Sequence, residues 1–193
     1  MSGRPGVFLD RDGTLLDEDG YLGDPAGVRL FPGAARAVAA LNAAGLPVVV
    51  VTNQSGVARG LFSEADVDAV HARVAELLRA EGAHFDLVLY CPHHPREGLP
   101  PYRRECDCRK PAPGMYQAGA RALGLDLARS AAVGDSERDL EGARRAGIGQ
   151  LLLVATGKGR AADAGLRAAG GCDHALARDL GQAADLILAR QER

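Results

Sequence analysis

Five short, uninterrupted apolar runs are the feature that most constrains the fold of this 193-residue chain. They lie at residues 7–9, 48–51, 87–90, 131–133 and 151–154. Runs of this kind, with no alternation of polar and apolar residues, are typical of strands that are buried on both faces of a parallel sheet. The sequence therefore predicts five such strands.

Segments with helical periodicity separate or follow these runs, at residues 34–44, 64–80, 114–123, 140–146 and 180–189. Strands that alternate with helices predict an α/β fold, with a parallel sheet flanked by helices. Residues 157–171 are rich in Ala, Gly and Arg, and we expect a surface connection there. The length fits one domain over residues 1–193.

Charge and hydropathy exclude several classes of partner. The net charge is -2 and no long Lys/Arg block occurs, so we expect no nucleic-acid partner. The longest apolar stretches, 46–51 and 151–155, are far shorter than the roughly 20 residues of a membrane helix.

The first residues lack the apolar run of a secretory signal, so a cytoplasmic location is expected. With no spare apolar helix face, a monomer is expected.

Acidic side chains follow the predicted strands at the ends where a parallel sheet binds its ligands. Asp10 and Asp12 come directly after the first run, and Asp135 follows the fourth. Clustered carboxylates repel one another unless a cation lies among them, and hard oxygen ligands suit Mg²⁺. We therefore expect a magnesium site at this edge of the sheet.

The same residues predict phosphoryl chemistry. With its charge shielded by a metal, Asp10 is placed to attack phosphorus as a nucleophile. Asp12 is placed to protonate the leaving alcohol and then to accept a proton from water. Thr52 and Asn53 offer hydrogen-bond donors to phosphate oxygens, and Lys110 offers a compensating charge.

A cysteine- and histidine-rich loop at about 91–110 interrupts the alternation of strands and helices. Three thiols and one imidazole, from Cys91, His93, Cys106 and Cys108, make a complete tetrahedral zinc set. A zinc ion with four protein ligands has no open position for water, so we expect it to stabilise the loop and to take no part in the reaction. His94 is an alternative ligand to His93, and a Cys91–Cys106 disulfide or unliganded thiols are further alternatives.

Taken together, these motifs resemble those of the haloacid dehalogenase superfamily: residues 10–14, Thr52, Lys110, and residues 134–139. The resemblance implies a Rossmann-like sheet without a large cap domain. It implies that Asp10 is both nucleophile and magnesium ligand, and that Asp12 is acid and base through its side chain and metal ligand through its carbonyl. It further implies that Asp135 binds magnesium and that Asp139 supports Lys110 or the metal shell.

The zinc loop, Gly20-Tyr21 and residues 52–60 resemble one subgroup of that superfamily, whose phosphatases act on heptose 1,7-bisphosphate or on histidinol phosphate. The resemblance implies removal of the C7 phosphate of the heptose and favours His93 as the zinc ligand. Histidinol phosphate or another small metabolite is the alternative substrate, and a noncatalytic phosphate-binding scaffold is the second alternative. The implied substrate contacts are Glu18, Asp19, Gly20, Tyr21, Thr52, Asn53, Gln54, Ser55, Arg109 and Lys110. Arg103, Arg104 or Arg109 is expected to meet the second phosphate.

Overall fold

A six-stranded parallel sheet organises the computed structural model, which describes residues 3–18, 20–171 and 173–191. The strands are β1 (Val7–Leu9), β2 (Val48–Asn53), β3 (Leu87–Cys91), β4 (Ala131–Gly134), β5 (Gln150–Val154) and β6 (Ala175–Ala177). Their order across the sheet is β3-β2-β1-β4-β5-β6, and every neighbouring pair is parallel. The predicted α/β fold is confirmed.

Helices cover both faces of the sheet. They are α1 (Ala34–Ala43), α2 (Glu64–Ala80), α3 (Gly114–Leu123), α4 (Glu137–Ala146), α5 (Gly159–Ala168) and α6 (Leu180–Gln191). Short 3-10 helices lie at Pro25–Gly27 and Leu127–Arg129. Buried residues of α1, α2 and α6 pack on one face, whereas those of α3 and α4, with partly buried residues of α5, pack on the other.

Alternate side chains of each central strand enter opposite cores. In β1, Val7 and Leu9 belong to the core beneath α1, α2 and α6, while Phe8 belongs to the core on the other face. All three are fully buried. Neither face of such a strand meets water, so polar residues are disfavoured at every position. The apolar runs in the sequence are uninterrupted for this reason.

One expected boundary was wrong and two elements were missed. Residues 157–171 lie mostly at the surface, as expected for a connection, but they contain a helix that was not predicted, α5 at Gly159–Ala168. Only Gly159 of this helix is buried, so the sequence carries little of the apolar periodicity that marks a core helix. Helix α4 begins at Glu137 rather than at 140, because the Asp139 carboxylate accepts a hydrogen bond from the Ser136 amide and fixes an earlier first turn. Strand β6 was missed because it has three residues, two of them exposed.

The loop between β3 and α3 contains no helix and no regular strand, only an isolated bridge between His94 and Arg103. The Tyr102 hydroxyl donates to Glu64 Oε1 at 2.6 Å and so ties the loop to the start of α2. Over residues 3–18, 20–171 and 173–191, no separate folded module covers the carboxyl edge of the sheet. None of the helices described has both the length and the apolar composition needed to cross a membrane.

Candidate active site

The site lies where the sheet extends in two directions from its centre. From β1, the chain continues to β2 and β3 on one side and later to β4, β5 and β6 on the other. Leu9 pairs with Val133, so the residues that leave β1 and β4 emerge side by side. This is the position at which open α/β sheets bind ligands, and it brings Asp10 next to Asp135.

A buried lysine stands at the centre of this edge. Lys110 is 2% exposed, and its Nζ lies 2.6 Å from Asp10 Oδ1 and 2.5 Å from Asp139 Oδ1. The same ammonium donates a hydrogen bond to the carbonyl oxygen of Val51 at 2.8 Å. The three contacts use all three protons of the ammonium group. Lys110 therefore connects the ends of β1 and β2 to the first turn of α4.

The acidic cluster carries more negative charge than this lysine offsets. Burial raises the pKa of Asp10 well above its usual range, the nearby Lys110 charge lowers it, and Asp139, Asp12 and Asp135 raise it further. Burial by itself would lower the pKa of Lys110, but Asp10 and Asp139 outweigh it and raise that pKa instead. A further cation would relieve the repulsion among the carboxylates.

Oxygen atoms of Asp10, Asp135 and Asp139 lie within 4.8 Å of one another, a spacing that fits a single hard cation. Asp135 is 6% exposed, and its Oδ2 accepts a hydrogen bond from the Lys158 amide at 2.8 Å. Gly13, at φ +82°, passes so close that a Cβ there would overlap the Asp135 carboxylate. Glycine is therefore required at position 13, because the loop after β1 passes close to the loop after β4 there.

The Asp12 carboxylate is not part of this carboxylate cluster and is held by other side chains. Its Oδ1 accepts from Arg11 Nε at 2.8 Å, and its Oδ2 accepts from Arg11 Nη2 at 3.1 Å and from Gln54 Nε2 at 2.8 Å. The Asp12 side chain remains 22% exposed and borders the cavity described below. The structure thus separates the roles available to the two aspartates, since only Asp10 has its carboxylate in the cation cluster.

Residues 52–55, at the carboxyl end of β2 and just after it, divide between the cavity and the layer beneath it. Thr52, Asn53 and Ser55 line the cavity, whereas buried Gln54 does not and hydrogen-bonds to Asp12 and to Thr52 Oγ1. The Asn53 amide pairs with the backbone of Lys110, donating to its oxygen at 3.0 Å and accepting from its nitrogen at 3.1 Å. The side chains of Asn53 and Gln54 were expected to contact substrate. In the structure they hydrogen-bond to other residues of the site and hold them in position.

A cavity of ≈ 400 Å³ opens above the aspartates. Of the expected substrate contacts, those that line it are Glu18, Gly20, Tyr21, Thr52, Asn53, Ser55, Arg109 and Lys110. The prediction for Asp19 lies outside the described residues. Residues 18, 20 and 21 form one wall of the cavity, and Tyr21 is 52% exposed, so the cavity is open to solvent on that side.

Sequence reasoning missed several polar residues that line the same cavity: Arg59, His94, Ser136, Arg138 and Lys158. The Arg59 guanidinium lies over the Tyr21 ring, 5.6 Å from its centroid, and forms an ion pair with Glu97. Arg59 belongs to the 52–60 stretch, so the sequence carried a signal for it, while Lys158 lies in segment 157–171, where no site residue was predicted. Arg103 and Arg104, expected at a second phosphate, do not line the cavity.

The cysteine–histidine cluster, formed by Cys91, His93, Cys106 and Cys108, lies in the loop that leads to Lys110. Its sulfur atoms are 3.2, 3.3 and 3.5 Å apart, and His93 Nδ1 lies 3.4 Å from Cys108 Sγ and 3.6 Å from Cys91 Sγ. These separations are longer than any disulfide bond and near the edge of about 3.8 Å of a tetrahedron with Zn–S bonds of about 2.3 Å. The cluster is consistent with a zinc site.

His94 is excluded from this cluster by its own hydrogen bonds. Its Nδ1 accepts from the amides of Arg96 and Glu97 at 3.3 and 2.9 Å, which turns the ring toward the following residues. Its neighbour His93 is tied to the active-site side of the loop, because Arg109 donates to the His93 carbonyl oxygen at 3.0 Å. The cluster and Lys110 are thus connected through adjacent residues.

Comparisons with known proteins agree with this geometry. A family model of haloacid dehalogenase-like hydrolases matches residues 7–69, and a second, of HAD-hydrolase-like proteins, matches residues 107–183. Together with close relatives of the same family, these matches show that the chain belongs to the phosphatases of the haloacid dehalogenase-like hydrolases.

The relatives are particular enzymes of that family. The chain is 48% identical over 145 residues to the D-glycero-beta-D-manno-heptose-1,7-bisphosphate 7-phosphatase of Rhodopseudomonas palustris, a match that covers 75% of this chain and 81% of the relative. It is 43% identical over 155 residues to the protein of the same name from Vibrio cholerae, covering 80% of this chain and 83% of the relative.

Solved structures give the same result. The D,D-heptose 1,7-bisphosphate phosphatase from B. bronchiseptica, complexed with magnesium and phosphate, superposes with a TM-score of 0.85 at 39% identity, covering 96% of this chain and 99% of that chain. The corresponding enzyme from Burkholderia thailandensis has a TM-score of 0.70 at 31% identity, with coverage of 96% and 99%. The predicted resemblance is confirmed at the level of the family.

A buried histidine behind Asp12 gives this site a testable pH dependence. His71 is 8% exposed, and its Nε2 lies 3.2 Å from Arg11 Nη1. Burial, with a contribution from the Arg11 charge, lowers the pKa of His71 to about 4 from its usual 6.5. Between these values the unfolded chain binds a proton that the folded protein does not, so stability falls as pH falls through this window.

We expect His71→Gln, which keeps an acceptor for Arg11 and does not titrate, to weaken this dependence. Between about pH 7.5 and about pH 5, the wild-type protein should lose about 2 kcal/mol more of its free energy of unfolding than the variant. Urea denaturation at the two pH values measures the difference. His84→Gln, at a side chain that is 60% exposed, is the matched control and should behave like wild type. An equal loss in wild type and His71→Gln would contradict the assignment.

Proposed function

We propose that this chain is a magnesium-dependent phosphatase that removes the C7 phosphate of D-glycero-D-manno-heptose 1,7-bisphosphate. The observation that carries the proposal is the convergence of Asp10, Asp135, Asp139 and Lys110 at one edge of the sheet, below an open polar cavity. The names of the relatives supply the sugar, and the cavity volume of ≈ 400 Å³ suits a small metabolite.

We place magnesium at the carboxylates of Asp10 and Asp135 and at the backbone carbonyl of Asp12. The all-oxygen donor set and the excess negative charge of the cluster support this ion, and the similar B. bronchiseptica structure contains magnesium. When bound, magnesium shields the charge of Asp10 from that of the phosphate. Asp139 acts indirectly, because its Oδ1 is engaged by Lys110 and its Oδ2 by the first turn of α4.

The reaction then proceeds in two halves on this chain's own residues. A carboxylate oxygen of Asp10 attacks phosphorus, the bond from phosphorus to the C7 oxygen breaks, and Asp12 gives a proton to that oxygen. Water next attacks the phosphorus of the aspartyl phosphate and gives its proton to Asp12, while the bond from phosphorus to Asp10 breaks. Inorganic phosphate leaves, and both carboxylates return to their starting states.

In this scheme Lys110 stabilises the transferred group through its charge, and residues at the carboxyl end of β2 contact that group. The Lys110 ammonium lies against Asp10 and supplies positive charge where charge builds up on the phosphoryl oxygens. Thr52 and Ser55 line the cavity at the same edge. Glu18, Gly20 and Tyr21 form the wall that would meet the sugar hydroxyls, with Asp19 between them in the sequence.

The second phosphate needs cations far enough from Asp10 to bind the other end of the sugar. Arg109 lines the cavity and is held by the His93 carbonyl, so its direction is fixed by the zinc loop. Arg59 and Arg138 line it as well. We assign the C1 phosphate to this group of guanidinium side chains in place of Arg103 and Arg104, since guanidinium groups bind phosphate oxygens in pairs.

We further propose that residues 1–193 form one domain that works as a cytoplasmic monomer. The six strands belong to one sheet that extends from β1 near the start of the chain to β6 near its end. Cys91, Cys106 and Cys108 lie within reach of one another and form no disulfide, a state typical of a reducing compartment.

The test of the proposed function is phosphate release with magnesium from both anomers of D-glycero-D-manno-heptose 1,7-bisphosphate and from histidinol phosphate. We expect a kcat/KM for one heptose anomer at least about 100-fold above that for histidinol phosphate, because only the bisphosphate engages cations at both ends of the cavity. Preference for histidinol phosphate would overturn the substrate and keep the chemistry. Absence of release from all three would overturn the enzyme assignment.

Asp10→Asn tests the nucleophile. The amide is a much poorer nucleophile than the carboxylate, so turnover should fall by about 1,000-fold or more while the protein stays folded. Phosphate release and circular dichroism measure the two properties. Asp68→Asn, at an exposed position on α2, is the matched control and should keep wild-type turnover. Turnover by Asp10→Asn close to that of wild type would rule out the aspartyl phosphate.

We also propose that the cysteine–histidine cluster binds one structural zinc ion. His93→Ala should lose the zinc and lower the melting temperature by about 5 °C or more, because the loop then lacks its internal anchor. His94→Ala should keep one zinc per chain, since His94 lies outside the cluster. Elemental analysis and thermal melting measure both. Full zinc content in His93→Ala, or loss in His94→Ala alone, would contradict the ligand set.

A further inference from the structure

Asp12 is held by three N–H donors that together fix the plane of its carboxylate. Arg11 contacts both oxygens, at 2.8 Å to Oδ1 and 3.1 Å to Oδ2, and Gln54 adds a second donor to Oδ2 at 2.8 Å. Each carboxylate oxygen has about two acceptor positions. Both positions of Oδ2 are therefore occupied, whereas Oδ1 keeps one that faces no donor among the described residues.

Arg11 is unusually well placed to orient its neighbour, because it is itself immobilised. Its side chain is 1% exposed, although arginine is almost never fully buried without partners. Its Nη1 lies 3.2 Å from His71 Nε2, and since a guanidinium group only donates, His71 must accept. The His71 ring packs against Tyr90, with 5.8 Å between ring centroids. The order of support is thus His71, then Arg11, then Asp12.

We propose that Arg11 and His71 are positioning residues that make Asp12 Oδ1 the atom that gives and takes the proton. The proposal rests on the assignment of Asp12 as acid and base in the proposed function. In the first half-reaction the proton on Oδ1 passes to the leaving C7 oxygen. In the second, the proton of the attacking water passes to the open position of Oδ1 as the bond from phosphorus to Asp10 breaks.

His71→Leu tests the pair without touching a residue that contacts substrate. It removes the acceptor for Arg11, so Arg11 and with it Asp12 should lose their fixed orientation. We expect kcat for the sugar bisphosphate to fall about 10-fold or more, with KM changed less than about 2-fold, because the effect lies on proton transfer and not on binding. His71→Gln, which offers an acceptor oxygen, should recover most of this loss.

A second substrate, 4-nitrophenyl phosphate, distinguishes a loss of Asp12 positioning from general damage to the fold. The 4-nitrophenolate leaving group departs without a proton, so only the second half-reaction with 4-nitrophenyl phosphate needs Asp12. In rapid-mixing experiments His71→Leu should release nitrophenolate in a burst that approaches one molecule per enzyme, followed by slow turnover. Quenching with acid after the burst should recover phosphate bound to the protein. A partly misfolded enzyme would lower burst and turnover together. His71→Asn, too short to reach Arg11, replaces His71→Leu if that variant does not fold.

The outcomes separate the two proposals. If wild type hydrolyses neither substrate and carries no acid-trapped phosphate, the proposed function fails. If wild type turns over and His71→Leu retains its kcat, or loses kcat without a burst, or is not recovered by His71→Gln, the positioning proposal alone is overturned. A burst in His71→Leu with recovery in His71→Gln supports it.

Discussion

The buried ammonium group of Lys110 is the interaction on which the rest of the site depends. A charge that is 2% exposed is costly to remove from water, and it is tolerated here because Asp10, Asp139 and the Val51 carbonyl satisfy all three of its protons. Removal of any one partner would leave one proton of the buried ammonium without an acceptor in the interior. The requirement for three partners therefore fixes the relative positions of β1, β2, α4 and the loop that carries Lys110.

That loop is irregular, yet it must deliver one side chain with precision. Its backbone at Lys110 is held by the Asn53 amide, and Arg109 holds the carbonyl of His93 within the cysteine–histidine cluster. A segment without helix or sheet has few backbone hydrogen bonds of its own, so its order comes from these side chains. The cluster is thus joined to Lys110 through Arg109 and the backbone of the loop.

The local elements follow from local signals, and the exceptions have physical causes. Helices α2 and α3 begin and end where the apolar periodicity predicts, because their buried faces repeat every three or four residues. Helix α5 lies mostly in solvent and strand β6 is half exposed, so neither carries an apolar pattern that distinguishes it from a connection. Both are stabilised mainly by their place beside β5, which the sequence pattern does not express.

The sequence by itself determined the chemistry available: which strands are buried, that carboxylates follow two of them, and that three thiols and an imidazole occur in one loop. The tertiary structure decided which of these groups meet. It placed His93 rather than His94 in the cysteine cluster and turned Asp12 toward Arg11. It also brought Arg59 and Arg138 to the cavity from segments far apart in the chain. The physical reason is that residue type and spacing fix a side chain's donors and acceptors, whereas its partners depend on strand order, register and loop paths that no local pattern encodes.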